Sequence, residues 1–246
     1  EKFRRLVTRF IERREQLLLP FFPDEPEPNS IPTNYIWTRT ITCPYCDGLI
    51  PLSPNWRMAP DGTGVRLHPH TGPSERRCSF EIVKKANEHS ESTVARGNAT
   101  CPFSDCGRVV DGDEVKRQAQ VEGMGEQLYA VVYKKRVETR TKTGKVREKW
   151  ERGYRAPRAE DDNSEEIRRV LAQKLPEWEA LDMVPTESIA EGNKTMEPRR
   201  YGMSRWQDLF SPRQLLGHCT SVEIYRELLE EFTAEAGGEL PEVTRA

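Results

Sequence analysis

Cys43-Pro44-Tyr45-Cys46 and Cys101-Pro102-Phe103-Ser104-Asp105-Cys106 are the two stretches that decide the fold of this chain. Each pair of cysteines is followed by a glycine and then by apolar residues. The pattern is typical of a zinc knuckle, in which a tight turn brings two thiolates to one side of a metal. Two knuckles supply four thiolates, so the sequence predicts one closed, structural zinc site formed by Cys43, Cys46, Cys101 and Cys106. A set of free structural thiols is the alternative, and a disulfide scaffold fits less well because the chain is long and its cysteines are few.

The segment between the knuckles holds 54 residues, which exceeds the gap of an ordinary zinc ribbon. We therefore expect an insertion that carries short strands, at Leu49–Leu52, 65–67 and 78–83.

Two further cysteines are left over. Cys219 lies on the apolar face of the last predicted helix and is expected in the core, where a free thiol behaves as a small hydrophobe. Cys78 has no second ligand close behind it, although it can replace a knuckle ligand, together with His68 or His70. Whether Cys78 joins the metal site stays open at this point.

The composition is polar for a globular chain. Its 246 residues are 35% hydrophobic and 32% charged, with a mean hydropathy of -0.78 and a net charge of -2. These values predict a modest hydrophobic core that a metal ion helps to stabilise. The net charge neither favours nor excludes binding of nucleic acid. No apolar run approaches about 18 residues and no signal peptide is visible, so we expect no membrane contact. Reduced cysteines with metal-ligand spacing favour a cytoplasmic location.

The predicted organisation is an α+β segment, a zinc ribbon with short antiparallel strands and a long β-hairpin, flanked by amphipathic helices. Residues 1–22 read as a helix that belongs to a larger core, and residues 23–34 as an acidic, proline-rich linker. Residues 35–156 form the zinc-ribbon region with the hairpin. Residues 157–246 form a helical region, in which Asp162 is predicted to cap one helix. Ser211-Pro212 is predicted to start another.

The long hairpin is strongly basic. It spans Tyr129 to Arg155, with its turn at residues 141–145, and the stretch from Lys134 to Arg158 contains eleven Lys or Arg and three Glu. This charge is what phosphate binding requires, so we expect nucleic acid to be contacted by Lys134, Lys135, Arg136, Arg140, Lys142, Lys145, Arg147, Lys149, Trp150 and Arg152. A solvated face, or a surface that packs on an acidic neighbour, is the alternative. Sequence readout cannot be inferred, because phosphate contacts do not specify bases.

No constellation of catalytic residues is readable. The carboxylates are not paired with a histidine or a nucleophile, and the two Gly-x-Gly sites lack the strand and helix that a nucleotide loop needs. The aromatic stretch 201–210 is expected to pack as the entry to the last helix.

Several blocks nevertheless resemble the middle of the large zinc-ribbon-containing adenine-specific DNA methylases that accompany restriction and phage-defence genes. The resemblance runs from about residue 30 to 225 and rests on Ile36-Trp37-Thr38-Arg39-Thr40, Arg96-Gly97-Asn98-Ala99-Thr100, Tyr154-Arg155-Ala156-Pro157 and Tyr201-Gly202-Met203-Ser204-Arg205-Trp206-Gln207-Asp208-Leu209-Phe210. Cys43, Cys46, Cys101 and Cys106 match the ribbon cysteines of that family, although the four-residue spacer of the second knuckle is looser than usual.

This resemblance implies a parent enzyme that transfers a methyl group from S-adenosylmethionine to adenine in DNA. Its donor loop and its Asp-Pro-Pro-Tyr motif do not map onto this chain, which contains no Pro-Pro dipeptide. The implied partners are DNA, the remainder of the methylase core and defence-system proteins, and this segment alone is not expected to be catalytic. The rival interpretations are a free zinc-ribbon binding module without activity and a structural insertion that docks on another subunit.

Overall fold

The structure, a computed structural model, describes residues 2–72, 75–140, 145–235 and 237. It is a mixed α+β protein with antiparallel sheets, as predicted. The chain divides into two compact units. The first, here called the helical unit, is assembled from Glu1–Pro23, Asn163–Glu191 and Met203–Ala246. The second, the strand unit, consists of Asp24–Asp162 and Gly192–Gly202.

The strand unit contains antiparallel sheets. Its described strands are β1 (Ser30–Thr42), β2 (Leu49–Leu52), β3 (Gly64–Thr71), β4 (Arg76–Val83), β5 (Val94–Ala95), β6 (Asn98–Thr100), β7 (Val109–Val110), β8 (Gly125–Arg140) and β9 (Val146–Arg155). The largest sheet has the order β2-β1-β8-β9, while β3 pairs with β4 and β6 lies between β5 and β7. The described α-helices of this unit are α2 (Gly112–Val121) and the short α4 (Met196–Arg200).

The predicted linker at residues 23–34 is wrong at its C-terminal end. Residues 30–34 belong to β1, which pairs with β8 from Ser30↔Lys135 onward. The linker was predicted from the acidic, proline-rich composition of residues 23–34, and this strand includes Pro32, which cannot donate a ladder hydrogen bond. In the structure a register shift follows Pro32, and in this part of β1 the described pairing is with β8 on one side only. Both conditions make a proline tolerable in a strand.

The core of the strand unit surrounds the cysteine knuckles. Phe103 is fully buried, and Trp56, Phe80 and Tyr129 form an aromatic group beside it. The Trp56 and Tyr129 rings meet edge to face with centroids 5.6 Å apart, a favourable arrangement for two aromatic side chains. Cys43 and Cys101 belong to the same cluster of buried residues, so the predicted metal ligands lie inside the core rather than on an appended loop.

The helical unit is formed by α1 (Lys2–Leu18), α3 (Ser164–Ala180) and α5 (Pro212–Glu235). Leu6 and Phe10 of α1 pack on Ile224, Leu228 and Phe232 of α5, as expected of amphipathic helices. The α3 helix buries Ile167, Leu171 and Trp178 in a cluster that also contains Leu216 and Cys219 of α5. Cys219 is therefore a core residue, as predicted.

The two predicted helix starts have different outcomes. The backbone amide of Gln214 donates to the Ser211 hydroxyl, the Ser211 amide donates to Gln214 Oε1, and Pro212 takes the first helical position. This is a reciprocal capping box, which confirms the predicted start. The predicted cap at Asp162 is wrong, because α3 begins one residue later, with Asn163 in the capping position and no side-chain cap.

Candidate metal centre and nucleic-acid interface

The first knuckle is the tip of the β1–β2 hairpin. Cys43 directly follows β1, and its backbone amide donates to the Gly48 carbonyl at 2.9 Å. The amide of Asp47 donates back to the Cys43 carbonyl at 2.9 Å, which closes a tight turn around Cys46. Asp47 adopts a positive φ of 58°, a conformation that Asp tolerates better than most residues. Strand pairing on both sides therefore fixes the directions in which Cys43 and Cys46 point.

The second knuckle is built in the same way between β6 and β7. The amide of Cys101 donates to the Arg108 carbonyl at 2.9 Å, and the amides of Cys106 and Gly107 both donate to the Phe103 carbonyl. Gly107 supplies the positive φ, 59°, that reverses the chain. The four-residue spacer, which the sequence left in doubt, is thus accommodated because the turn starts at Phe103, two residues after Cys101. The two knuckles present their thiols from matching hairpins.

The four thiols lie together with the spacing of a tetrahedral metal site. Cys43 Sγ is 3.8 Å from Cys106 Sγ, and Cys46 Sγ is 3.7 Å from Cys101 Sγ. All four Sγ atoms lie within 4.8 Å of one another. Sulfurs bound to zinc at about 2.3 Å in a tetrahedron are roughly 3.8 Å apart, so the set fits that ion. These separations exclude disulfides, in which the sulfurs lie about 2.05 Å apart.

The environment of the thiols distinguishes buried from accessible ligands. Burial raises the pKa of Cys43 and, more strongly, of Cys101, so these thiols stay protonated without a cation. The Arg108 backbone amide hydrogen-bonds to the Cys106 sulfur and lowers the pKa of that thiol. A divalent cation would bind four thiolates here and release their protons, which couples metal binding to folding of the surrounding core.

Two arginines flank the knuckles. The Arg76 guanidinium lies 5.1 Å from the centroid of the Phe103 ring and forms an ion pair with Asp105, inside the second knuckle. That ion pair is the main reason why the pKa of Arg76 is raised. Arg108 lies 4.8 Å from the centroid of the Tyr45 ring, inside the first knuckle. A zinc ion with four thiolates carries a net charge of about -2, and cations beside it offset that charge.

Cys78 does not belong to the four-cysteine group. Burial raises the pKa of its thiol to about 12, so it behaves as an apolar core group. His68 Nε2 lies 2.9 Å from Glu81 Oε2, and His70 Nε2 lies 2.7 Å from Ser79 Oγ, both on the exposed face of the β3–β4 hairpin. The alternative ligand set that the sequence left open is therefore not assembled.

The basic hairpin forms as an antiparallel pair of β8 and β9, in register from Val131↔Arg155 to Arg140↔Val146. Residues directly opposite share a face, and successive residues alternate between faces. One face, here called the even face, carries Lys134, Arg136, Glu138, Arg140, Val146, Glu148, Trp150 and Arg152. The other, the odd face, carries Lys135, Val137, Thr139, Arg147, Lys149 and Glu151. Lys145 precedes β9, and Lys142, with most of the predicted turn, lies outside the described residues.

The predicted nucleic-acid contacts are thus divided between two faces that differ in charge pairing. On the odd face, Lys135 forms an ion pair with Glu27, and Lys149 forms one with Glu151 at 2.6 Å. On the even face, Arg136 pairs with Glu148. Within the part of the chain that the structure describes, four hairpin cations form no ion pair, namely Lys134, Arg140, Arg147 and Arg152.

The base of the hairpin is held by a buried ion-pair cluster that sequence reasoning missed. Arg155 Nε donates to Glu25 at 2.8 Å, and Arg155 Nη2 donates to Asp161 at 2.9 Å. The side chains of Glu25 and Asp161 are fully buried. The backbone amide of Arg158 also donates to Asp161. Arg155 and Arg158, which contributed to the high local charge in the sequence, therefore have structural roles. Nothing local could have indicated this, because Glu25 lies 130 residues before Arg155.

Comparison with known proteins adds no relative: no protein-family model, no curated protein and no solved structure matches the chain. Among the described residues, none of the helices has the length and apolar character needed to cross a membrane.

Proposed function

We propose that this chain is a nucleic-acid-binding segment whose strand unit is organised by one structural zinc ion. The structural zinc ion is supported by the convergence of four cysteine sulfurs, which lie within 4.8 Å of one another and come from two knuckles on separate hairpins. All four positions of a tetrahedral shell are filled by protein ligands, which leaves no open position for a substrate. The zinc would therefore stabilise the fold and take no part in chemistry.

The proposed binding of nucleic acid is supported by the charges on the hairpin. Its described cations without a carboxylate partner, Lys134, Arg140, Arg147 and Arg152, are all exposed. Exposed cations that are not used within the fold are the groups that neutralise phosphates and release counterions. Three of these cations, Lys134, Arg140 and Arg152, lie on the even face of the hairpin, and Arg147 lies on the odd face.

We further propose that the segment serves a DNA adenine methylase of the cytoplasm, as its resemblance to the zinc-ribbon-containing methylases implies. S-adenosylmethionine and the extruded adenine would then be bound by parts of the enzyme that carry the donor loop and the Asp-Pro-Pro-Tyr motif. The residues of this chain would hold or orient the DNA. Other proteins of a defence system are further partners in this proposal.

A protein-docking function is the second candidate, and one observation favours it. Two acidic side chains of this chain, Glu25 and Glu27, already bind the hairpin cations Arg155 and Lys135. An acidic segment of another protein can form similar carboxylate ion pairs with the exposed hairpin cations Lys134, Arg140, Arg147 and Arg152.

A salt titration of duplex DNA binding separates these candidates. The variant Lys134→Ala/Arg140→Ala/Arg147→Ala/Arg152→Ala removes the four unpaired cations. If all four neutralise phosphates, the slope of log affinity against log salt should become shallower by roughly 3 to 4, with similar losses on unrelated sequences. Identical affinity and slope for the variant and the wild type would leave docking on an acidic protein as the better function. Zinc content and circular dichroism of the variant serve as controls for folding.

A further inference from the structure

We infer that the even face of the hairpin binds single-stranded DNA, with phosphates on Lys134 and Arg152 and a base stacked on Trp150. This inference rests on the proposed nucleic-acid function and deepens it, because it selects one of two faces and one form of DNA.

The first observation is a cross-strand pair of like charges. Lys134 of β8 lies directly opposite Arg152 of β9, and both side chains are exposed. On the other side, Lys134 lies opposite Ile31 of β1, which offers no negative charge. Like charges directly opposite each other destabilise a sheet. An anion held between the two side chains removes that repulsion, and a backbone phosphate of a nucleic acid is such an anion.

The second observation is the position of Trp150. It lies two residues before Arg152 in β9, so both side chains are on the even face, and it is 52% exposed. Its opposite neighbour is Arg136, whose guanidinium is held by Glu148. An indole on an open strand surface, beside a phosphate-binding pair, is the arrangement on which unpaired bases stack. A duplex keeps its base faces inside the helix, so it cannot use this ring without unstacking.

The odd face lacks both features. Two of its three described cations, Lys135 and Lys149, are held by Glu27 and Glu151. The third, Arg147, forms no ion pair but lies opposite Thr139 rather than opposite a second cation. No aromatic side chain lies on that face between residues 135 and 151 among the described residues. The two faces therefore provide a matched comparison. They share the same two strands, and each loses two positive charges in a double variant.

The experiment measures binding of fluorescent oligo(dT), an oligo(U) of equal length and a mixed-sequence duplex to the full chain with zinc bound. The variants are Lys134→Ala/Arg152→Ala on the even face, Lys135→Ala/Lys149→Ala on the odd face, and Trp150→Leu. We expect the even-face variant to lose roughly ten-fold or more in affinity for oligo(dT) and the odd-face variant less than about three-fold. Trp150→Leu should lose roughly five-fold to one-hundred-fold on oligo(dT) and less than two-fold on the duplex.

Equal losses in the two double variants would overturn the choice of face. Equal losses of Trp150→Leu on single strands and duplex would overturn base stacking, because a ring that only packs the hairpin affects both forms alike. Tighter binding of oligo(U) than of oligo(dT) would overturn the assignment to DNA. If the four-cation variant binds every nucleic acid as the wild type does, the proposed function itself fails, a result that differs from each of these.

Discussion

The ring of Phe103 lies where a side chain on Gly48 would be, since a Cβ atom built on Gly48 would be 2.3 Å from Phe103 Cε2. Gly48 closes the first knuckle and Phe103 lies inside the second, so this contact joins the two halves of the candidate metal centre. The glycine is required here for space. Its neighbour cannot move away easily, because Phe103 is fully buried.

We expect Gly48→Ala to destabilise the strand unit by about 1–3 kcal/mol, the usual cost of overpacking a core. The temperature at which zinc is released to a chromophoric chelator should fall accordingly. Gly217→Ala is the control, because a Cβ atom at that position in α5 meets nothing within 4 Å. That variant should be neutral or more stable by up to about 1 kcal/mol. Equal melting of Gly48→Ala and wild type would contradict the close packing of the knuckles.

Replacing one knuckle ligand should remove the metal. The purified chain should contain about one zinc, and Cys43→Ser should contain close to none and melt at a lower temperature, because metal binding and folding are coupled. Cys78→Ala is the matched control, since Cys78 is also buried in the strand unit but lies outside the four-cysteine group. It should keep its zinc. A chain whose melting does not change when a chelator removes its metal would argue against a structural zinc.

The buried carboxylate at the base of the hairpin should make stability depend on pH. Burial alone would raise the pKa of Asp161, but hydrogen bonds from Arg155 and from the Arg158 amide outweigh it and lower that pKa. The stabilisation is therefore present above the unfolded value of about 3.9 and is lost as the pH falls through the lower folded value. Asp161→Asn should destabilise the protein by up to about 3–5 kcal/mol at pH 7, and by less below pH ~3.

Glu160→Gln is the control for this prediction, because its carboxylate is 70% exposed and lies 4.0 Å from Arg158. Such a surface pair contributes about 0–1 kcal/mol. Thermal melts of both variants at pH 7 and near pH 3 make the comparison. A difference between Asp161→Asn and wild type that stays constant across this range would show that the charge of Asp161 is not what matters.

The chain alone should not methylate DNA, because it lacks the donor loop and the Asp-Pro-Pro-Tyr motif that the resemblance assigns to the parent enzyme. Residues 1–246 incubated with tritiated S-adenosylmethionine and DNA should give no label above background. A longer protein that contains both motifs should place the label in adenine. Methyl transfer by the isolated chain would refute the proposal that the catalytic groups belong to other parts of the enzyme.

The parts of the structure that the sequence predicted best are those set by local spacing. The two cysteine pairs, the apolar periodicity of α1 and α5 and the pairing of β8 with β9 each depend on residues close in the chain. The missed features depend on distant residues. Glu25 pairs with Arg155, and residues 30–34 pair with β8, only after the intervening chain has folded. Which hairpin cations form ion pairs could not be predicted without the register of β8 and β9, because the register decides on which face each residue lies.

The pairing of β1 with β8 has a consequence for the order of folding. Its register runs from Ser30↔Lys135 to Thr40↔Gly125, so every hydrogen bond in this ladder closes a loop of more than eighty residues. Bringing together the ends of so long a loop costs chain entropy before any contact compensates for it. The zinc knuckles lie inside that loop, and Cys46 and Cys101 are 55 residues apart. A metal ion that captures all four thiolates early shortens the loop that remains to be closed. The folding rate of the β2-β1-β8-β9 sheet should therefore increase with zinc concentration.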